Sequence, residues 1–264
     1  MQLAPQALSS RFDSTLLSRV EDAGLNASAP PQQRWVDGWL VRFSAGKAKR
    51  ARCVNAVAEG RLPLNERLAL CEQVFAQADL QMVVRITPFT TPAHLDDTLA
   101  ALGLSRIDDT RVMVLNELNK LVPVALASGM SVHSIGLEPF AQRVGALRGS
   151  PLSQRQAHAE RLLHSPVPFC AFELRSHGEV LACGQYAVEA DLVGLYDVFT
   201  APSVRGRGFA RQLCQYMLVH ARERGARHAY LQVEGDNDAA RAVYHRLGFA
   251  DGYAYHYRVK AAEA

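Results

Sequence analysis

The stretch Val198-Phe199-Thr200-Ala201-Pro202-Ser203-Val204-Arg205-Gly206-Arg207-Gly208-Phe209-Ala210 constrains the fold of this chain more than any other. Its first three residues close an apolar, strand-like run, and from Phe209 the period changes: Phe209, Leu213, Met217 and Ala221 recur at helical spacing. A strand must therefore pass into a helix through a turn that contains two glycines. Such a turn exposes successive backbone N–H groups at the positive end of the helix dipole, a setting that suits a pyrophosphate. Gly206 and Gly208 permit close backbone approach because neither has a Cβ, and Arg205 and Arg207 add positive charge. The turn is not a dinucleotide fingerprint, because the third glycine or alanine would fall at 211, which is Arg211; nor does it carry the Gly-Lys-Ser/Thr of a P-loop. Taken alone, it also reads as a tight turn whose glycines serve only the geometry.

The surrounding residues set the order of elements. Phe169 to Leu174, Glu179 to Val188 and Leu192 to Thr200 read as an antiparallel meander with short turns such as Ser176-His177-Gly178. The helix from Phe209 closes at Arg224-Gly225, with a basic last turn and a C-terminal glycine. Ala229 to Val233 then reads as a strand, Asp238 to Leu247 as a helix ending at Gly248, and Tyr253 to Val259 as a last strand. Upstream, Met130 to His133 reads as a short strand, with helices at Leu137 to Leu147 and Leu152 to Leu163.

The N-terminal half repeats this plan in outline. Trp35 to Phe43 and Ala48 to Val57 read as strands, Leu64 to Ala78 as a helix, Gln81 to Ile86 as a strand, Ala93 to Leu102 as a helix and Arg111 to Leu115 as a strand. Leu102-Gly103-Leu104 stands after a helix and before a strand, as Leu247-Gly248-Phe249 does. An internal duplication is expected, with Val122 to Met130, which contains Pro123 and Gly129, as the boundary. The basic cluster Lys47-Ala48-Lys49-Arg50-Ala51-Arg52, read as a strand, splits its charges between two faces. A solvated edge that discourages strand addition is the simpler reading; the sharper one is a contact to an anionic substrate or cofactor phosphate.

Arg205-x-x-Gly208-x-Ala210 resembles the Arg/Gln-x-x-Gly-x-Gly/Ala acyl-CoA loop of the GNAT superfamily of N-acetyltransferases. A second block follows as Asn237-x-Ala239-Ala240-Arg241-x-x-Tyr244-x-x-Leu247-Gly248-Phe249. The resemblance covers roughly Phe169 to Val259. It implies an α+β, mixed α/β GNAT fold of two tandem units: residues 1–125 a degenerate GNAT-like unit and residues 130–264 the catalytic N-acetyltransferase domain. The first unit shows no Arg-x-x-Gly-x-Gly/Ala before its helix, so a single acetyl-CoA site is expected. The resemblance further implies that Val198, Phe199 and Thr200 line the pantetheine arm, that Arg205, Gly206, Arg207, Gly208, Phe209 and Ala210 hold the pyrophosphate, and that Asn237 lies near the cofactor. Physically, Asn237 is equally a helix N-cap.

Transfer to an amine by direct attack leaves a CoA thiolate that needs a proton, and the resemblance puts the acid at Tyr244, whose phenol is a suitable donor. By residue pattern alone Tyr244 also reads as a half-buried tyrosine packed beside Leu247. An amine with a lysine-like pKa of about 10.4 must lose a proton before it attacks. Glu234 and Asp197 are the candidate bases, each with the alternative of a solvated strand-end carboxylate. A non-catalytic acyl-CoA sensor is the rival function.

Composition narrows the partners. The net charge is +3, too small for a nucleic-acid surface. Cys53, Cys71, Cys170, Cys183 and Cys214 are widely spaced and never form CxxC, which fits reduced thiols in a cytoplasmic protein rather than disulfides or zinc. No metal is implied, because there is no HExxH and no Cys/His cluster. Met1 to Ser10 has no signal-like pattern, and no apolar run approaches the roughly 20 residues that span a bilayer, so no membrane is expected. The expected partner is a small-molecule or peptide amine acceptor, with monomer and homodimer both open.

Overall fold

Helix-period and strand-period segments assemble, in a computed structural model that describes residues 7–44 and 48–260, into one continuous sheet with helices on both faces. In chain order the elements are α1 (Ser14–Ala27), β1 (Gln33–Val36), β2 (Trp39–Arg42), β3 (Val54–Asn55), α2 (Leu64–Gln77), β4 (Val83–Ile86), α3 (Leu95–Ala101) and β5 (Leu104–Leu115). The second half follows with β6 (Met130–Ile135), α4 (Leu137–Leu147), α5 (Leu152–Leu163), β7 (Phe169–Ser176), β8 (Glu179–Glu189), β9 (Leu192–Thr200), α6 (Phe209–Arg222), β10 (His228–Glu234), α7 (Asp238–Arg246) and β11 (Ala250–Lys260).

Three readings of the N-terminal half need correction. Trp35 to Phe43 is a hairpin of β1 and β2, turned by Asp37 and Gly38 at φ 42° and 85°, an arrangement that asks for φ > 0 at both central residues. The charged stretch before β3 is a short 3₁₀ turn, Lys49–Ala51, because Arg50 points into the molecule, half-buried, instead of along a solvated edge; Lys47 lies outside the described residues. Helix α1 was not among the expected elements. Asp13 caps it, accepting hydrogen bonds from the N–H groups of Thr15 (2.8 Å) and Leu16 (3.2 Å). Its buried face, Leu16, Leu17, Val20 and Ala23, packs on Val112, Val114, Tyr230 and Tyr253 of β5, β10 and β11. Gly24 brings the helix down on β10: a Cβ there would lie 2.8 Å from the Gln232 side chain.

The sheet runs β1-β2-β3-β4-β11-β5-β10-β9-β8-β7-β6. Apart from the extra edge strand β6, its order is symmetric about the antiparallel β5–β11 pair. Each half has a parallel pair joined through a helix, β3 with β4 across α2 and β9 with β10 across α6. Each half then sends its last strand into the other: β5 lies between β11 and β10, and β11 between β4 and β5. Gly103 and Gly248, the glycines of the two related tripeptides, both turn the chain from helix to strand at positive φ, 81° and 95°.

A buried ion pair pins α1 to both halves. The Arg85 guanidinium grips the Glu21 carboxylate with two hydrogen bonds, and Tyr253 donates a third at 2.6 Å. Burial alone would raise the Glu21 carboxyl, but Arg85 and then Tyr253 hold it below the ordinary carboxylate range. Arg85 also stacks over the Tyr255 ring, 4.0 Å from its centroid. Because a buried charge stripped of its partner costs about 3–5 kcal/mol, this contact couples residues from the two halves tightly.

Residues 130–264 expressed alone should therefore fail to fold. They leave β11 without either neighbour and expose Tyr230, Tyr253 and Tyr255, and should be recovered in soluble form only when residues 1–125 are co-expressed. A cooperative thermal transition for the isolated fragment would contradict this.

Candidate functional site

Strands β9 and β10 pair in parallel from Leu192 and His228 as far as Leu195 and Leu231, and then part. β9 continues beside β8, whereas the far end of β10 pairs with β5 out to Glu234 opposite Thr110. At the point of parting β9 carries a bulge. Cys183 faces Phe199 and Gln185 faces Tyr196, so that Asp197 and Val198 together oppose Gly184, with Asp197 at φ 50°. The result is a V-shaped opening whose β9 wall is the backbone of Val198, Phe199 and Thr200.

Beyond Thr200 the chain makes a 3₁₀ turn, Pro202–Val204, and enters α6 through Gly206 (φ 77°) and Gly208 (φ 83°). Inside the protein a Cβ on either glycine would meet nothing within 4 Å, so here positive φ, not crowding, is what demands glycine. Among the described residues the backbone N–H groups of Arg205 to Arg211 have no partner; the first to find one is Gln212, which donates to the Gly208 carbonyl at 3.1 Å. Unpartnered N–H groups in a row at a helix N-terminus form an anion site. Arg205 flanks it from over the Phe199 ring (5.2 Å) and Arg207 from over Phe209 (5.1 Å). Buried Phe209 anchors the start of α6 in the core with Leu213 and Met217.

On the α6 and α7 face, Tyr244 and Val198 pack against the same core, and the Tyr244 ring meets Phe249 edge-on at 6.1 Å. Its hydroxyl makes no hydrogen bond to the described residues. Burial, with a smaller effect from Cys214, pushes its pKa up and keeps the phenol a proton donor. Asn237 is the N-cap of α7, accepting from the Ala240 N–H at 3.1 Å. Burial also raises the Cys183 and Cys214 thiols to about 12, which removes them as nucleophiles near neutral pH.

The opposite face holds the two carboxylates. Asp197 accepts from Arg148 at 2.9 Å and from Gln185 at 2.8 Å, and His158 Nε2 lies 3.2 Å away. Burial would raise its pKa, but His158 and then Arg148 hold it far below the carboxylate range. A carboxylate stabilised in this way is a poor proton acceptor; its partners fix the bulge instead. Glu234, at the end of β10, is exposed and has no ion-pair partner among the described residues. The sequence reading missed Arg148, His158 and Gln185. Gln185 carried a signal, as a buried polar residue amid the apolar run Ala182-Cys183-Gly184 and Tyr186.

The related turn of the first half, between β3 and α2, is filled from within. The Asp37 carboxylate accepts the N–H groups of Arg61 (3.0 Å) and Leu62 (2.9 Å) and pairs with Arg67 at 3.0 Å. Those two backbone hydrogen bonds are the main reason the Asp37 carboxyl titrates below its ordinary value. Gly60 admits the contact, since a Cβ there would lie 2.1 Å from the Asp37 carboxylate. A depression of about 780 Å³ beside β1, lined by Trp35, Arg61 and Leu70 among others, lies at the far edge of the sheet and shares no residue with the V. Among the described residues no helix is long and apolar enough to cross a membrane.

Residues 138–249 match the family model described as Acetyltransferase (GNAT) family. Over 236 residues the chain is 24% identical to the uncharacterized N-acetyltransferase YobR of Bacillus subtilis, an alignment spanning 86% of this chain and 92% of that protein. Among solved structures, a GCN5-related N-acetyltransferase from Kribbella flavida superposes with a TM-score of 0.70 over 93% of this chain and 96% of that one, at 17% identity. A tandem GNAT protein from the clavulanic acid biosynthesis pathway does so with a TM-score of 0.60 over 75% and 70%, at 13% identity. The α+β GNAT fold implied by the motif is the fold observed.

The ion pairs of Asp197 carry a pH signature. Its folded pKa is depressed, so the stability it adds is present above the unfolded value of about 3.9 and is lost as the pH falls towards the folded one. The melting temperature of Asp197→Asn should thus lie below that of the unmodified protein at pH 7, with the gap narrowing below about pH 4; a gap constant down to pH 3 would contradict the assignment.

Proposed function

We propose that this chain, whose residues 138–249 match the GNAT acetyltransferase family, is an acetyltransferase in which residues 130–264 form the catalytic unit, binding acetyl-CoA in the V between β9 and β10 and passing its acetyl group directly to a primary amine. The observation that carries the reading is the row of unpartnered N–H groups from Arg205 to Arg211, opening α6 immediately beyond two parallel strands that have parted. Those N–H groups, with Arg205 and Arg207, bind the pyrophosphate. Val198, Phe199 and Thr200 offer backbone hydrogen bonds to the pantetheine, and Asn237 fixes the start of α7 beside it.

The chemistry follows from the two faces of the V. The acceptor enters from the α1 and α5 side, where Glu234 takes the proton that an amine of pKa about 10.4 must lose. Asp197 is withdrawn from that role by its ion pairs and instead holds the bulge, whose backbone N–H groups polarise the thioester carbonyl as negative charge develops on its oxygen. As the new C–N bond forms and the C–S bond breaks, Tyr244 on the other face gives its proton to the departing sulfur. Holding both substrates at one opening supplies much of the acceleration.

Residues 1–125 act as a degenerate unit without a cofactor of their own. Asp37 provides internally the negative charge that a pyrophosphate would bring to their turn, and α1 with Arg50 helps to wall the acceptor pocket. The acceptor is a small-molecule or peptide amine.

Tyr244→Phe tests this mechanism. General acid catalysis contributes about 10²–10⁴-fold, so kcat for thiol release from acetyl-CoA in the presence of an accepted amine should fall about 100-fold or more. The Kd for acetyl-CoA by calorimetry should stay within about twofold. Equal losses in kcat and binding would show that Tyr244 shapes the cofactor site and is not the acid.

A further inference from the structure

On the α1 and α5 side of the V two half-buried arginines, Arg50 and Arg161, have no ion pair among the described residues. Arg50 reaches there from the first half of the chain, its Nη1 donating to Gln232 Oε1 at 2.9 Å and to the Tyr255 hydroxyl at 3.3 Å. Its Nε and Nη2 make no hydrogen bond among the described residues, and the side chain is half-buried. Arg161 lies three residues after His158 on α5, on the helix face that meets Asp197. It is half-buried and has neither an ion pair nor a hydrogen bond among the described residues.

The other cations of this face have their donors engaged. Arg148 binds Asp197 and Arg85 binds Glu21, while Arg42 donates to Leu25, Ser28 and Gln33. Of the carboxylates, Asp197 and Glu21 are taken by those pairs, Glu189 accepts from Asn26, and Glu234 stands at the exposed end of β10. Burial lowers the Arg161 pKa; Asp197 opposes it, and the Arg50 charge adds a smaller lowering. Asp197, the carboxylate nearest in effect to Arg161, is already held by Arg148 and His158, and Arg50 has only neutral hydrogen-bond partners among the described residues, so an entering anion would supply charge that the two guanidinium groups do not have to themselves. The same side of the sheet is aromatic at this point: Tyr196, next to Asp197 in β9, hydrogen-bonds Tyr230 at 2.8 Å and meets the Phe169 ring at 5.5 Å.

We propose that Arg161 and Arg50 form an anion subsite of the acceptor pocket, so that the accepted amine carries a carboxylate on the same molecule. The planar guanidinium fork matches a carboxylate in two parallel hydrogen bonds, and Glu234, on the same face of β10 as Gln232, remains for the amine end. Arg50 thereby makes the first half of the chain a direct contributor to substrate choice. The proposal rests on the acyl-transfer reading of the V, and its test separates the two.

The probes are conjugates in which the CoA sulfur is joined through an acetyl group to an ω-amino acid with one, two or three methylenes, each paired with its uncharged carboxamide. Calorimetry gives their Kd values alongside that of free CoA. A charge-assisted hydrogen bond is worth about tenfold or more in affinity, so at least one carboxylate conjugate should bind about tenfold more tightly than its carboxamide. Arg161→Gln and Arg50→Gln should each reduce that ratio to near unity while leaving the Kd for free CoA unchanged, which also shows that both variants fold. If CoA binds but no pair differs, or if the preference survives both substitutions, the anion subsite is overturned and the acyl-transfer reading stands. If neither CoA nor any conjugate binds, the acyl-transfer reading itself falls and takes the subsite with it.

Discussion

A parallel strand pair can open to admit a ligand only if each strand is held by something on its other side. For β9 that support is β8, its neighbour in the meander. For β10 it is β5, which pairs with it from Ala229 to Glu234, well past the last β9 contact at Leu231. β5 comes from the first half of the chain, and the rest of the architecture depends on this insertion. With β5 in place, Gln232, Val233 and Glu234 keep backbone hydrogen bonds on one side and leave the other free, without the cost of unmatched buried amides. The exchange of β5 and β11 is thus what keeps the V open.

The two halves have diverged around the same plan in opposite electrostatic directions. In the second, a turn with positive-φ glycines leaves its N–H groups unpartnered and adds Arg205 and Arg207. In the first, the equivalent donors of Arg61 and Leu62 are closed by Asp37, and Arg67 neutralises that carboxylate. A carboxylate that satisfies a turn from within the chain loses no translational freedom in doing so, so an external anion competes poorly for the same donors. In the proposed reading the first half keeps a structural role and a positional one, carrying α1 and Arg50 to the far side of the V.

Much of the fold of the second half was legible in the sequence, because its pattern is local. The bounds of β9, α4 and α5 follow from hydrophobic period and flanking turns, and the row from Arg205 to Ala210 is contiguous. Asn237 and Tyr244 lie at the cap and within α7, separated from that row by α6 and β10. What escaped was long-range or polar. Asp197 read as a free strand carboxylate because its partners, Arg148 and His158, come from α4–α5 and can be found only in three dimensions. Helix α1 escaped because its burial is decided by β5, β10 and β11, far along the chain. Trp35 to Phe43 read as one strand because its apolar pattern continues through Asp37-Gly38, a dipeptide that marks a two-residue hairpin turn. Arg50 read as part of a solvated edge because its partners, Gln232 and Tyr255, lie more than a hundred residues away in sequence.

The central claim, one working acyl-CoA site formed by the second half and held open by the first, is tested most directly by a calorimetric titration of the intact chain with CoA. The account predicts saturation at a single site per chain, and loss of that site when Gly206 and Gly208 are both replaced by valine, whose side chain disfavours the positive φ that aligns the N–H row. Two sites per chain, or a site that survives the double substitution with unchanged affinity, would contradict it.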